Sequence, residues 1–224
     1  MKYVSVAVDG PAGSGKSTIT KMVAKSLGFN YVDTGAMYRA LTYNFLSNGL
    51  DELEEEKIRG LLGKTEFKVE YVDGVQYVYV NDVEVSDKIR TAEVSKFTSL
   101  FAKSPAVRDF LIDTQRNLAN TNNIIMDGRD IASVVLPNAD VKIFLTASVE
   151  ERARRRVLDF ERQGIENVDF EKVKEDIKAR DWQDENRDIA PLIKVESATL
   201  IDTTSLTIDE VVEKMTELVE SVEK

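Results

Sequence analysis

Eight consecutive residues near the start of the chain, Gly10, Pro11, Ala12, Gly13, Ser14, Gly15, Lys16 and Ser17, fit the spacing G-x-x-x-x-G-K-[ST]. Each residue type in that run has a use toward phosphate. The glycines let the backbone turn its N–H groups inward around phosphate oxygens. A helix beginning there adds the positive end of its dipole. Lys16 can reach the outer phosphates of a nucleoside triphosphate, and the Ser17 hydroxyl can ligate Mg²⁺. Thr18 completes the run. Much later, Asp127 ends an apolar stretch, where an acidic side chain can hold the same Mg²⁺ or one of its waters. The alternative for Asp127 is an ordinary acidic turn residue.

Arginines form a second set. Arg180, Asp184 and Arg187 are spaced i, i+4 and i+7, which puts them on one helix face. A solvated salt-bridge stripe is the competing explanation, but base before acid is the weaker helical order for one. Arg152 and Arg156 lie one turn apart, and Arg154 and Arg155 cannot all share their face. A charged surface helix is the alternative for that group.

Composition narrows the chemistry. The 224 residues contain no cysteine, which excludes disulfides, thiolate catalysis and zinc–sulfur sites. They contain no histidine, which removes the commonest general base and metal ligand. What is left is carboxylates, hydroxyls, lysine, arginine, backbone amides and an oxygen-liganded cation. Phosphoryl transfer fits that inventory, because it needs mainly positioning and positive charge. The formal net charge of −10 makes tracking along a nucleic acid backbone a poor fit, whereas arginines clustered in an acidic chain suit a small anionic ligand. No apolar run is long enough to span a bilayer, and the start of the chain lacks a signal-peptide layout, so the expected location is cytoplasmic.

The elements that must position these residues alternate. Valine-rich residues 3–8, within a lead-in that begins at Met1 and Lys2, read as a buried strand. Helical spacing follows over 17–27 and stops at Gly28. A strand at 31–32 and a helix over 35–46 come next, and Asp51 is placed to cap a helix carrying Leu53, Ile58, Leu61 and Leu62. Two strands, 67–72 and 76–81, surround a hairpin turn at Asp73-Gly74, with a short third strand at Val83 and Val85. Residues 91–102 read as a helix, and Ser104-Pro105 starts another. Strands follow at 124–126 and 141–145. Ser148 and Glu151 suggest a capping box before a basic helix, and Asp169 caps the next. Leu200-Ile201 is a last strand, and Thr207 with Glu210 caps a terminal helix. This order predicts an α/β fold, a parallel sheet flanked by helices with a small antiparallel β insertion.

Several motifs occur together: Asp9 followed by the run from Gly10 to Thr18, then Asp33-Thr34-Gly35-Ala36-Met37-Tyr38-Arg39, then Asp127-Gly128-Arg129-Asp130. Arg180-Asp181, Asp184, Arg187 and Ala190-Pro191-Leu192 complete the series. In this order they resemble the bacterial-type cytidylate kinases, within the P-loop nucleoside monophosphate kinase superfamily. The resemblance covers essentially the whole chain, including the β insertion. It implies a P-loop core at 1–34, 121–147 and 191–224, a CMP-binding domain at 35–120 with its insertion at 65–88, and a helical lid at 148–190. It implies transfer of the γ-phosphoryl group of ATP to CMP or dCMP, with Mg²⁺ as cofactor and a monomer as the default.

Carried over by residue, the resemblance assigns Gly10 to Thr18, Arg152 and Arg156 to ATP. It sets Thr34, Tyr38, Ser99, Arg108 and Asp130 in the CMP site, with Arg39, Arg129 and Arg187 on the CMP phosphate and Arg180 and Asp184 at the ribose. Lys16, Asp127, Arg129 and Arg187 are the implied catalytic set. The family more often has Ser where Thr34 stands, so the hydroxyl is kept and a methyl added. Cytosine presents an amino donor beside two acceptors, so a site for it needs an acceptor and a donor. Asp130 can supply the first and Arg108 or Ser99 the second, although without the resemblance Arg108 would read as an ordinary exposed helix residue. The rival expectations are another small P-loop kinase, such as an adenylate or shikimate kinase, and a non-catalytic nucleotide-binding module.

Overall fold

Strands that are apolar on both faces must be covered on both, and this chain does so with helices on either side of one sheet. The computed structural model describes residues 3–222 apart from 73 and 163. In chain order the elements are β1 (Ser5–Asp9), α1 (Lys16–Leu27), β2 (Asn30–Asp33), α2 (Thr34–Ser47), α3 (Glu55–Leu62), β3 (Phe67–Val72), β4 (Val75–Val80) and β5 (Val83–Glu84). They continue with α4 (Ala92–Phe101), α5 (Pro105–Thr121), β6 (Ile124–Gly128), β7 (Val141–Thr146), α6 (Val149–Arg162), α7 (Phe170–Glu185), β8 (Thr199–Asp202) and α8 (Ile208–Glu220).

The main sheet is parallel, in the order β2-β6-β1-β7-β8. Alternate residues of its central strands feed two cores. Val6, Val8 and Ile125 face Ile19, Val23 and Met215 on one side. Ala7, Ile124 and Met126 face Met37, Leu41 and Phe45 on the other. Register then aligns the carboxyl ends: Val8 and Asp33 both lie opposite Asp127, and Asp9 opposite Gly128. Strand order reverses at β1, so these ends open onto the crevice where α/β sheets bind ligands. Among the described residues, no helix is long and apolar enough to cross a membrane.

The expected insertion is a separate antiparallel sheet, β3-β4-β5. Val78, Val80 and Val85 seat it on Ala40 of α2. A second tie is polar. The Gln76 amide accepts from Asp33 N at 2.8 Å and donates to Asp33 O at 3.2 Å, clamping the insertion to the end of β2. Val72 pairs with Val75, so β3 and β4 are joined as expected. Met1, Lys2 and the turn residue Asp73 lie outside the described residues.

The structure corrects three local expectations. Asp51 does not cap α3, which begins at Glu55 with Glu54 as its uncapped N-cap. The inward positions Ile58 and Leu62 set the helix phase, and Leu53 falls off that stripe and stays exposed. The capping box at α6 is half made: Ser148 Oγ accepts from Glu151 N, but Ser148 N donates to Thr204 Oγ1 and the Glu151 carboxylate pairs with Arg154 and Arg155. Helix α7 ends at Glu185, capped by Asn186, so Arg187 does not share a helix face with Arg180 and Asp184. The π-helical turn at Ile131–Val135 was not anticipated.

Gly10 shows how tightly the loop after β1 is seated. Its φ is 150°, and a Cβ there would meet Leu145 O at 1.9 Å. Backbone cannot give way as a side chain can. Gly10→Ala is therefore expected to lower unfolding free energy by about 3 kcal/mol or more, measured by urea denaturation.

Candidate active site

The loop at residues 10–15 leaves β1 and returns into α1 through Gly15, whose φ of 89° only glycine adopts readily. Gly15 makes no side-chain cap, so the first N–H groups of α1 are open to an anion. Lys16 is buried and folds back to donate to Pro11 O at 2.7 Å and Ser14 Oγ at 3.4 Å. Burial, reinforced by the charge of Arg129, holds its ammonium well below the usual lysine range. An arriving phosphate would reverse that penalty. Ser17 Oγ donates to Asp127 Oδ2 at 2.8 Å, and Tyr31 OH to Asp127 Oδ1 at 2.8 Å. Burial and then the neighbouring Asp33 push the Asp127 carboxyl upward. A hydroxyl beside a carboxylate is an all-oxygen donor set, which fits a hard cation such as Mg²⁺.

Across the cleft, Asp130 sits between two arginines. Arg108 Nη2 donates to Asp130 Oδ2, and Arg187 Nη2 to Oδ1 at 3.3 Å. Arg108 is buried, not exposed on its helix, and its guanidinium lies over the Tyr38 ring. Burial raises the Tyr38 phenol to about 12. Ser99 and Tyr38 line the same wall. Thr34 is buried and donates to Asp127 O at 2.7 Å, so toward a ligand its hydroxyl can only accept. Arg39 pairs with Asp33 at 3.1 Å, and Arg129 with Asp184 Oδ2 at 2.7 Å. Arg187 reaches the cleft from a turn beyond α7, held by its bond to Ala190 O.

Of the basic residues on α6 and α7, Arg156 and Arg180 line the cleft without a hydrogen-bond or ion-pair partner among the described residues. Arg156 stacks on Phe160. Arg180 is open to the solvent of the cleft but walled by protein; that wall, and then the charge of Arg129, lower it below the usual arginine value. Arg152 does not line the cleft. It is buried and committed to Ala147 O, Ala12 O and Asp181. Arg155, which was not assigned, lines the cleft and is braced by Thr203 and Glu151. Helical spacing alone could have offered Arg155 in place of Arg152, because the two are neighbours on successive turns.

Asp9 was quoted in a motif without a role. Its carboxylate accepts from Ile131 N and Ala132 N, both at 2.8 Å, and so pins the π-helical turn that follows Asp130 to the root of the phosphate loop. No local signal marks those partners.

Lys16, Ser17, Asp127, the Arg108–Asp130 pair and the arginines Arg39, Arg129, Arg155, Arg156, Arg180 and Arg187 line one cleft of about 1100 Å³. Eleven lysines and arginines face seven aspartates and glutamates in it, so the cleft is cationic within an acidic chain. Fold and site together define a small P-loop kinase. The chain belongs to the cytidylate kinase family, whose model, described as "Cytidylate kinase", matches residues 6–221. A cytidylate kinase of Leuconostoc mesenteroides is 48% identical over 99% of this chain and 98% of its own length. One from Caldicellulosiruptor bescii is 46% identical over 100% and 99%. Among solved structures, an uncharacterized protein from Eubacterium ventriosum shares the fold, with a TM-score of 0.55 at 11% identity over 97% of this chain and 99% of that one.

Burial raises the Asp9 carboxyl from 3.8 to about 6, outweighing its two backbone hydrogen bonds. A folded value above the unfolded one means a contribution that is greatest below the unfolded pKa and lost as pH rises through about 6. Asp9→Asn removes that titration. Relative to the variant, wild type should lose about 2 kcal/mol between pH 4.5 and 7, read from urea denaturation at both.

Proposed function

We infer that this chain transfers the γ-phosphoryl group of ATP to a phosphate oxygen of CMP or dCMP, giving ADP and CDP or dCDP. The observation that carries the inference is a single cleft with a phosphate-binding loop as its floor and the Arg108–Asp130 pair on its wall. Arg187 also pairs with Asp130, and Arg39 and Arg129 line the same cleft.

ATP would lie with its phosphates in the loop from Gly10 to Thr18. Lys16 would exchange two neutral acceptors, Pro11 O and Ser14 Oγ, for phosphate oxygens. Ser17 and Asp127 would hold Mg²⁺, which when bound offsets charge on the triphosphate. Arg39, Arg129 and Arg187 would hold the acceptor phosphate, with Arg156 and Arg180 meeting the charge between donor and acceptor. A bond forms from an acceptor oxygen to the γ-phosphorus as the bond to the β–γ bridging oxygen breaks. The acceptor oxygen is already ionised at neutral pH, so a site without histidine is sufficient. Holding the two anions in line is the protein's task.

Asp184 uses Oδ2 for Arg129, which leaves Oδ1 for a ribose hydroxyl. Asp130 accepts from two arginines but keeps lone pairs for the cytosine amino group, while Arg108 offers donors to the ring acceptors. In this scheme residues 35–120 grip the acceptor, and residues 148–190 form a lid that excludes water during transfer.

ADP formation measured across CMP, dCMP, UMP, AMP and shikimate tests the assignment. CMP and dCMP should be the preferred acceptors. Uracil puts a carbonyl where cytosine has its amino group, leaving the buried Asp130 facing an acceptor. Asp130→Asn should therefore lower kcat/KM for CMP and narrow the CMP/UMP ratio by about ten-fold or more. An unchanged ratio would move base reading to Arg108, Ser99 or the backbone.

A further inference from the structure

Arg152 stands in the first turn of α6, where a basic residue ordinarily points to water. Here it is 4% exposed, and its guanidinium joins three segments. Nε donates to Ala147 O at 2.9 Å, just past β7. Nη1 donates to Ala12 O at 3.1 Å, on the phosphate-binding loop, and pairs with Asp181 Oδ2 of α7 at 2.6 Å.

We propose that Arg152 and Asp181 are positioning residues that fix the register of helix α7 over the phosphate-binding loop. This rests on the kinase function inferred above.

As a stabilising device the pair is poor. Two ions leave water to form it, and apolar side chains of similar volume often serve stability as well. Asp181 Oδ1 is moreover buried with no donor among the described residues. What the pair supplies that leucine could not is direction. A planar guanidinium binding two backbone carbonyls and a carboxylate admits one placement of α7 relative to Ala12. Asp181 follows Arg180, a cleft cation with no hydrogen-bond or ion-pair partner among the described residues, and precedes Asp184, which holds Arg129. Fixing Asp181 thus places both arginines relative to the loop that carries the donor phosphates. Apolar contacts between α6 and α7, through Ala153, Val173 and Ile177, hold the helices together but are non-directional.

The test is Asp181→Asn, which keeps shape and removes charge, assayed well below its Tm with the folded fraction followed by circular dichroism. Misplacement of the arginines should lower kcat about ten-fold or more, while KM for ATP stays within about two-fold because the loop itself is intact. The double variant Arg152→Met/Asp181→Leu should recover Tm relative to the single variant without recovering kcat. A kcat within about two-fold of wild type in Asp181→Asn, or kcat restored together with Tm in the double variant, overturns the proposal. If the double variant does not fold, the kinetics of Asp181→Asn decide alone. Wild-type turnover with CMP, measured alongside, separates this outcome from failure of the kinase assignment: no turnover defeats that assignment, whereas normal turnover with an unaffected variant defeats only the proposal.

Discussion

Like charges crowded into one crevice repel, and the carboxylates of the cleft answer that constraint. Lys16, Arg39, Arg108, Arg129, Arg180 and Arg187 all line it. Most are held apart by carboxylates contributed from different elements: Asp33 for Arg39, Asp184 for Arg129, and Asp130 for both Arg108 and Arg187. Lys16 lacks an ion pair in the set and is driven toward neutrality instead. Arg180 has none either among the described residues, and it faces the solvent of the cleft. The resting cleft therefore stores an electrostatic demand that anionic ligands satisfy.

The same pairs organise the fold around the site. Asp130 joins α5 to the turn after α7, and Asp184 joins α7 to the end of β6. Asp9 fastens the turn after Asp130 to the root of the phosphate loop. Carboxylates that balance charge thus also set distance, which is what in-line transfer between two anions requires.

Much of this was legible from local sequence, and the failures share a cause. The strand–loop–helix setting of residues 10–17, the pairing of β3 with β4 and the caps at Ser104, Asp169 and Thr207 are settled within a few residues, and the structure agrees with each. Arg187 was misplaced because helical spacing says nothing about where a helix ends, and Asn186 ends α7 one residue too early. Spacing left Arg152 open between ligand and surface charge and the resemblance gave it to ATP, whereas its partners at Ala12 and Asp181 are set by tertiary packing. The π-helical turn owes its anchor to Asp9, more than a hundred residues upstream. Pattern reports periodicity; it does not report what the other side of a contact will be.

The Gln76 amide has a consequence for how this protein can change. It is the polar tie between the inserted sheet and the backbone of Asp33, and Asp33 caps α2 and holds Arg39. Substitutions elsewhere in the hairpin, at exposed positions such as Val72, Val75 and Val83, alter a surface that is insulated from the cleft. Mutational freedom in the insertion is therefore wide but uneven: drift is cheap along its outer rim, whereas at Gln76 it reaches the backbone of the residue that caps α2 and pairs with Arg39.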